Sequence, residues 1–391
     1  MVTPGLDLDG VAETFAASTD FTVGIEEEYA VLDAATLDMV PRFEELRDAA
    51  AAGDPLLAGS IAGELISSEI EIRSGRGEDF ADAVVRQRAM RERLFRLAGD
   101  RGIALGSTGT HPWADYRKQR NIDTEHYRRV VEGLQYVARR NNTFSLHVHV
   151  GVRGIDRAVR VCDRLRPVLP VLLAVSASSP FLEEQDTGLH SVRSQIFTKS
   201  FPRCGIPDCF GSWAAYRKYI EFLVGTHSIV EHTQVWWSIR PHFSFGTVEV
   251  RICDAQATAA ESERLAALIV ACVAQAARDD DDGLPLVAPE RRFVEENLWR
   301  AIRFGLDGRF IDLERAEEEP AAATVERLLA WCAPARAELR LDAEPAGPNG
   351  AQRQRALHHA GASLRETYAA TVAESRETYA HPERKQEIRI P

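Results

Sequence analysis

The sequence predicts an α+β fold in which a mostly antiparallel β-sheet carries helices on one face. Four short segments, 23–28, 67–73, 146–150 and 247–252, alternate apolar with ionisable residues. That period of two is typical of β-strands with one buried face. Between the strand-like segments lie longer ones with helical apolar spacing. The connections vary from short turns to long helical stretches, an order that suits an α+β layout.

Each element follows from local signals. Apolar residues at helical spacing, with charges on the other side, predict a helix at 79–98. Gly53, Asp54 and Pro55 end the preceding helix, predicted at 42–52. In chain order we predict a short helix within 1–20, strands at 21–33 and 37–41, a helix at 42–52, strands at 65–73 and 103–107 around the helix at 79–98, and helices at 124–139, 155–178, 213–225, 259–277, 290–304 and 323–332.

The remaining segments are predicted to be irregular. Segment 179–212 is rich in Gly, Pro, Ser and Cys and carries three scattered cations. A connection of that length is usually functional or disordered. Two interpretations stay open for this segment: a substrate or phosphate loop that acts as a lid, or a plain surface loop. The acidic run 279–282 is predicted to be a solvated loop. After residue 342 we expect a Gly/Pro linker, a helix through 353–357 and a flexible tail at about 376–391.

Composition narrows the class of protein. The net charge of −12 over 391 residues argues against a general nucleic-acid or membrane binder. The first nine residues lack the order of a signal peptide, and the apolar stretch at 167–177 is too short to span a bilayer. We therefore expect a cytoplasmic protein, and whether it forms a homo-oligomer stays open. Its six cysteines form no CxxC pair and are expected to be free thiols.

The ionisable strand faces predict a cation site. Glu26 and Glu28 share one face of the first strand, where they can bind two neighbouring cations or share one. Gly24 lets a ligand approach that strand closely, while Glu27 points to the other face and is expected to pack or form hydrogen bonds. The alternative is an exposed strand with solvated charges. Apolar neighbours favour burial, and buried carboxylates are paired or bind metal, here Mg²⁺ or Mn²⁺.

Two later strands add residues to this face. His147 and His149 share a side, which favours metal or phosphate contact over two core histidines. Glu249 and Arg251 are either a simple ion pair or a metal carboxylate beside a guanidinium that grips phosphate. The sequence contains no Walker loop and no G-x-G-x-x-G fingerprint after a strand. It also offers no convincing serine or cysteine nucleophile.

Several motifs together closely resemble the glutamate–cysteine ligase type 2 family, the short bacterial carboxylate–amine ligases. The resemblance runs from about residue 20 to 375. It implies a curved sheet akin to that of the glutamine synthetase catalytic domain, with ATP and several Mg²⁺ ions on its concave face. The order of the elements predicts one catalytic domain over 1–391. The motifs are GIEEEY at 24–29, GTHP at 109–112, HVHVG at 147–151, WWSIRPH at 236–242, FGTVEVRICD at 245–254 and ENLWRA at 296–301.

The resemblance also implies roles for individual residues. The implied roles are metal binding by Glu26, Glu28, Glu64, Glu71, His147 and Glu249, nucleotide contact by His147 and Arg251, and catalysis by Arg251 and Glu249. Beyond what the motifs assign, we expect nucleotide contact by His149 and substrate carboxylate binding by Arg193 and Arg240. The resemblance implies glutamate as the acid and small amino-acid substrates. Because the chain is shorter than the classical cysteine-using ligases, the amine stays open. A guanidino-type kinase and a non-catalytic metabolite-binding relative are the alternatives.

Overall fold

The computed structural model describes residues 7–345 and 347–380, and it has the predicted α+β architecture. The strands are β1 (Val23–Asp33), β2 (Ile61–Ala62), β3 (Glu69–Arg73), β4 (Ile103–Gly106), β5 (Ser145–Gly151), β6 (Phe181–Leu182), β7 (Gln185–Asp186), β8 (Cys204–Gly205), β9 (Trp236–Trp237), β10 (Ile239–His242), β11 (Thr247–Asp254), β12 (Arg309–Asp312) and β13 (Glu317–Pro320). Seven of them form one sheet in the order β10-β11-β5-β1-β3-β2, and β4 also pairs with β1. Every pairing in this sheet is antiparallel.

Helices cover the apolar face of the sheet. Ile25, Val148 and Val250 point into the main core, and each fully buried side chain of this kind contributes about 1.5–3 kcal/mol. The helices are α1 (Leu8–Ala16), α2 (Phe43–Gly53), α3 (Pro55–Ala58), α4 (Phe80–Gly99), α5 (Glu125–Leu134), α6 (Tyr136–Arg139), α7 (Ile155–Leu165), α8 (Leu169–Ser176), α9 (Val192–Ser200), α10 (Trp213–Gly225), α11 (Ala259–Asp281), α12 (Arg291–Phe304), α13 (Ala321–Trp331), α14 (Ala333–Leu339), α15 (Gly350–His359) and α16 (Leu364–Ala380).

Glu27 anchors β1 to these helices from behind. Arg91 of α4 donates to it twice, with Nε–Oε2 at 2.6 Å and Nη2–Oε1 at 2.7 Å, and Gln87 donates to Oε2 at 2.6 Å. Burial alone would raise the pKa of Glu27, but the guanidinium of Arg91 lowers it below its ordinary value. The hydroxyl of Tyr379 on α16 lies 3.4 Å from Glu27 Oε1. The expected hydrogen-bonding role of Glu27 is confirmed.

Two helices predicted as single units are each broken in two. The predicted helix at 124–139 is α5 followed by α6, because Gln135 takes a positive φ of 49°. The predicted helix at 155–178 is α7 followed by α8, with Pro167 between them. Proline lacks the backbone N–H that a continuing helix needs.

The prediction that 179–212 is irregular was wrong. It contains α9, whose N-cap Ser191 accepts from the Ser194 N–H, and three short strands. Lys199 pairs with Glu295 of α12, which holds α9 against the body of the protein. This segment is therefore folded structure, and its cation Arg193 lies on a helix.

The acidic run was also assigned wrongly. Residues 279–281 form the end of α11, because partners from other elements compensate their charges. Arg160 donates to Asp280 at 2.8 Å, Arg157 pairs with Asp281 at 2.6 Å, and the indole of Trp331 donates to Asp279 at 2.9 Å.

Smaller differences lie at the ends of other elements. The predicted strand at 37–41 is reduced to one bridge between Leu32 and Met39. The hairpin β12–β13 and helix α16 were not predicted. Residues 376–380 of the predicted flexible tail are helical, and 381–391 lie outside the described residues. In the described chain, no helix combines the length and the apolar character that a bilayer crossing requires.

Candidate functional site

The candidate site is the sheet face opposite the helices. The antiparallel register places Glu26 opposite His147 on β5 and Glu28 opposite Glu71 on β3. It also places Glu249 of β11 opposite His149. Because side chains alternate along a strand, these groups all point to the same side. The predicted pairs therefore converge on one face.

The first possible cation site is formed by Glu26, His149 and Glu249, whose ligand atoms lie within 4.8 Å of one another. His149 Nε2 lies 3.4 Å from Glu26 Oε1 and 3.9 Å from Glu249 Oε1. That nitrogen is buried and has no hydrogen-bond partner within the described chain, while Nδ1 contacts the Thr247 hydroxyl at 3.0 Å. An unpartnered ring nitrogen between two carboxylates is well suited to bind a cation.

The second possible cation site is formed by Glu28, Glu64 and Glu71, again within 4.8 Å. Burial, and then the charge of Glu28, raise the pKa of Glu64 to about 8. Burial, followed by Glu26 and Glu64, raises the pKa of Glu71 well above its ordinary value. Carboxylates crowded in this way are stable in the ionised form only beside a positive charge, and three oxygen donors suit Mg²⁺ or Mn²⁺.

The third possible site joins Glu26, Glu71 and His147 between the other two. The backbone N–H and hydroxyl of Ser145 both donate to Glu28 Oε2 at 2.5 Å. Since that hydroxyl has a single hydrogen, His147 Nε2 donates to Ser145 Oγ at 2.8 Å. The remaining Nδ1 lone pair then faces Glu26 Oε2 at 3.4 Å. A cation bound between Nδ1 and Glu26 Oε2 would satisfy both acceptors.

Two arginines brace Glu249. Arg240 donates through Nε to Oε2 at 2.6 Å, and Arg251 donates through Nη1 to Oε1. Burial alone would raise the pKa of Glu249, but Arg240 and Arg251 hold it well below its ordinary value. Arg251 Nε is buried without a hydrogen-bond partner among the described residues. Arg251 therefore keeps donor capacity for an anion.

Arg193 reaches the site from α9. Its guanidinium donates to the carbonyls of Ile252 at 3.0 Å and Arg251 at 3.1 Å and lies 3.6 Å from the buried Asp254. Asp254 in turn accepts from the hydroxyls of Ser179 and Ser191 at 2.6 and 2.9 Å. Arg193 is thus held rigidly, with its position fixed by β11.

Two cavities open on this face. The smaller, about 230 Å³, is lined by polar groups that include Glu28, Glu64, Glu69, Arg193, Arg240 and Arg251. The larger, about 510 Å³, lies at the start of β1 and is lined by Gly24, Glu26, Arg73, Arg76, His149 and Phe245 among others. The candidate cation sites lie along the strands between them.

The structure brings together every residue that the sequence analysis placed on this face. His149, expected at the nucleotide, also has the geometry of a cation ligand. Sequence reasoning missed Ser145, which orients Glu28 and His147 and precedes the HVHV pattern at the same period of two. It also assigned no role to Glu69, although that residue shares the predicted face of Glu71.

Comparisons with known proteins agree with this geometry. The model of glutamate–cysteine ligase family 2 matches residues 22–370. The chain is 36% identical over 361 residues to "Putative glutamate--cysteine ligase 2" of Solibacter usitatus, covering 90% of this chain and 93% of that relative. It is 39% identical over 308 residues to "Putative glutamate--cysteine ligase 2-2" of Rubrobacter xylanophilus, covering 78% of each.

Solved structures share the fold at low sequence identity. Glutamate–cysteine ligase from Francisella tularensis, crystallised with AMP, has a TM-score of 0.69 and 11% identity, covering 93% of this chain and 91% of that one. A bifunctional glutathione synthetase from Pasteurella multocida has a TM-score of 0.64 and 12% identity, covering 95% and 54%. The family match and the fold are those of carboxylate–amine ligases, and the chain belongs to glutamate–cysteine ligase family 2.

Proposed function

We propose that the protein is an ATP- and Mg²⁺-dependent ligase that joins the side-chain carboxyl of glutamate to an amine through an acyl phosphate. One observation carries the proposal. Two cavities open on a single sheet face, and the possible cation ligands lie between them. Glu26 and His149 line the larger cavity, while Glu28 and Glu64 line the smaller one. Two substrates bound in these cavities would meet above the carboxylates.

The larger cavity suits a nucleotide. Phe245 is 56% exposed, lines this cavity and stacks on His242 with ring centroids 4.4 Å apart, so it offers aromatic surface on which a base could stack. Arg73 and Arg76 supply positive charge for phosphates. Gly24 carries no side chain on the strand that leads to Glu26. The AMP bound to the Francisella ligase is consistent with nucleotide use by this fold.

In this proposal each part of the reaction is assigned to residues of the site. Mg²⁺ or Mn²⁺, when bound, would neutralise phosphate charge and align the terminal phosphate for transfer. A cation next to the nucleotide would be held by Glu26, His149 and Glu249. A cation next to the carboxylic acid substrate would be held by Glu28, Glu64 and Glu71, and His147 lies between these two groups. Arg251 would stabilise the transferring phosphoryl group through its unpaired Nε and remaining Nη donors.

The proposed reaction balances in two steps. A carboxylate oxygen attacks the γ-phosphorus, and the bond from that phosphorus to ADP breaks. The amine nitrogen then attacks the acyl carbon, the bond to phosphate oxygen breaks and one proton leaves the nitrogen. No side-chain nucleophile is needed. We also propose that the whole chain forms one catalytic unit acting in the cytoplasm, where ATP is available.

Hydroxylamine trapping tests the proposal. Protein, ATP, Mg²⁺ and glutamate with hydroxylamine should yield ADP and a glutamyl hydroxamate, because hydroxylamine captures activated acyl groups. A hydroxamate from a different acid would keep the ligase and replace the substrate. ADP with phosphorylated guanidine and no hydroxamate would indicate a guanidino-type kinase, and no turnover with any acid or guanidine would favour a binding protein.

A further inference from the structure

Glu69 is a buried carboxylate that the ligase chemistry described so far does not use. It lies at the start of β3, on the same face as Glu71, and is only 2% exposed. Its Oε2 atom has no hydrogen-bond partner among residues 7–345 and 347–380. The side chain lines the smaller cavity. A buried carboxylate oxygen without a partner is costly unless a ligand completes it.

The possible cation sites do not account for Glu69. In the described chain the three groups of potential ligands use Glu26, Glu28, Glu64, Glu71 and Glu249 with two histidines, and Glu69 is in none of them. Burial, and then the charges of Glu28, Glu64 and Glu71, raise the pKa of Glu69 well above its ordinary value, while Arg193 lowers it. Metal ions at the three groups would still leave this carboxylate without its own positive partner.

The same cavity also carries positive charge. Arg193, Arg240 and Arg251 line this space of about 230 Å³ together with Glu28, Glu64 and Glu69. A small cavity lined by both carboxylates and guanidinium groups is complementary to a molecule that carries both an ammonium and a carboxylate group. That is the charge pattern of an amino acid.

The strand geometry sets the spacing between the two ends of such a ligand. Glu69 and Glu71 are two residues apart, which is about 7 Å along a strand. Glu71 belongs to the proposed cation groups. Arg73 and Gly75, which follow Glu71 in the chain, line the nucleotide cavity, so Glu69 lies farther from that cavity than Glu71 does. An ammonium group at Glu69 therefore lies several bonds from a carboxyl group held at the cations. A side-chain carboxyl fits this spacing better than the α-carboxyl.

We propose that Glu69 binds the ammonium group of the amino acid whose remote carboxyl is activated, and so selects amino acids over acids that lack the amino group. This inference rests on the proposed ligase function and deepens it. It predicts a role in binding, because Glu69 touches the substrate at a position away from the reacting atoms.

The test compares glutamate with glutarate, which has both carboxyl groups and no amino group. Hydroxamate formation with ATP and Mg²⁺ gives KM and kcat for each acid in the wild type and in Glu69→Gln. We expect the variant to raise the KM for glutamate about 10- to 100-fold and to change glutarate little. The Mg²⁺ concentration for half-maximal rate should stay the same. Turnover of glutarate also shows that the variant is folded.

Glu44→Gln is the matched control, because Glu44 lies on α2 outside the cavity and pairs with Arg120 and Ser67. It should behave as wild type. Equal losses for both acids in Glu69→Gln, a shifted Mg²⁺ requirement, or an effect seen only when a natural amine replaces hydroxylamine would each overturn the inference.

Calorimetric binding of the two acids in the presence of Mg²⁺ separates this inference from the proposed function. If the wild type makes no hydroxamate, the ligase proposal fails. Tighter binding of glutamate than glutarate that Glu69→Gln abolishes would still support the role of Glu69, and equal binding of both acids by the wild type would overturn it.

Discussion

Arg240 and Glu249 lie directly opposite each other on β10 and β11, with Arg240 Nε 2.6 Å from Glu249 Oε2. Arg240 Nη2 lies 3.4 Å from the other carboxylate oxygen, and Nη1 donates to the carbonyls of Thr233 and Val235 at 3.1 and 2.6 Å. Most of its donors are therefore occupied. The geometry favours a role in holding Glu249, whereas the expected contact with a substrate carboxylate stays a prediction.

Loss of Arg240 should destabilise the protein. Arg240→Met removes one of two guanidinium partners from a buried carboxylate, and we expect unfolding free energy to fall by about 3 kcal/mol. Urea unfolding of the variant measures this. Adding Glu249→Gln in the same chain should recover part of the loss, since the buried charge is then gone. A raised KM for the acid with unchanged stability would instead assign Arg240 to the substrate.

Glu26 should be one of the two most sensitive carboxylates of the site, with Glu71 the other. Glu26 belongs to two of the three possible cation groups in the described chain, so Glu26→Gln weakens both. We expect its ATP turnover to fall by at least about 100-fold with the fold intact. The ATP turnover of Glu28→Gln should also fall severely. Steady-state ADP release over a Mg²⁺ titration checks this, with the exposed Glu45→Gln as control. Near-normal rates of both variants at saturating Mg²⁺ would reject the site on β1.

Arg251→Lys tests the role in phosphoryl transfer. Lysine keeps the charge but loses the planar fork, and it cannot both hold Glu249 and reach a phosphate. We expect kcat to fall by about 100-fold while the KM for ATP changes only a few-fold. The two constants, measured at saturating glutamate, provide the comparison. An effect confined to the KM for ATP would make Arg251 a binding residue only.

Stability without metal should depend on pH. Because the pKa of Glu64 is raised from 4.5 to about 8 in the folded protein, its contribution to stability is fully present below pH 4.5 and is lost as pH rises towards 8. The raised pKa values of Glu69 and Glu71 act in the same direction. In EDTA, the free energy of unfolding attributable to Glu64 should fall on the order of 1–3 kcal/mol between pH 5 and 8.5.

Thermal unfolding across this pH range, with and without Mg²⁺, measures that dependence. Mg²⁺ should flatten the decline, because a bound cation compensates the ionised carboxylates, and Glu64→Gln should reduce the slope in EDTA. A melting temperature that rises from pH 5 to 8.5 in EDTA would contradict the crowded-carboxylate description.

Sequence periodicity predicted which side chains share the site face, because alternation along a strand depends only on local geometry. It could not predict partners. The positions of Glu26, His147 and Glu249 were expected, yet the register that sets His149 beside Glu249 comes from long-range strand pairing. The choice of Arg240 as the brace of Glu249 arises in the same way.

The remaining prediction errors concern helices whose polar sequences give little sign of the tertiary packing that stabilises them. Helix α16 has a polar composition, and only its tertiary contacts through Tyr368, Val372 and Tyr379 bury one side. Likewise the weak helical spacing of α9 predicts a loop, whereas the N-cap Ser191 and the pairing of Lys199 with α12 stabilise a helix.

The anchoring of β1 from behind has a consequence for biosynthesis. Arg91 is synthesised soon after Glu27, but Tyr379 lies 352 residues after Glu27 in the chain. At roughly 5–20 residues per second, a ribosome needs some tens of seconds to complete that interval. Until then the strand that carries Glu26 and Glu28 lacks the part of its backing that α16 supplies. A chain ending before residue 379 should therefore depend on chaperones far more than the intact one.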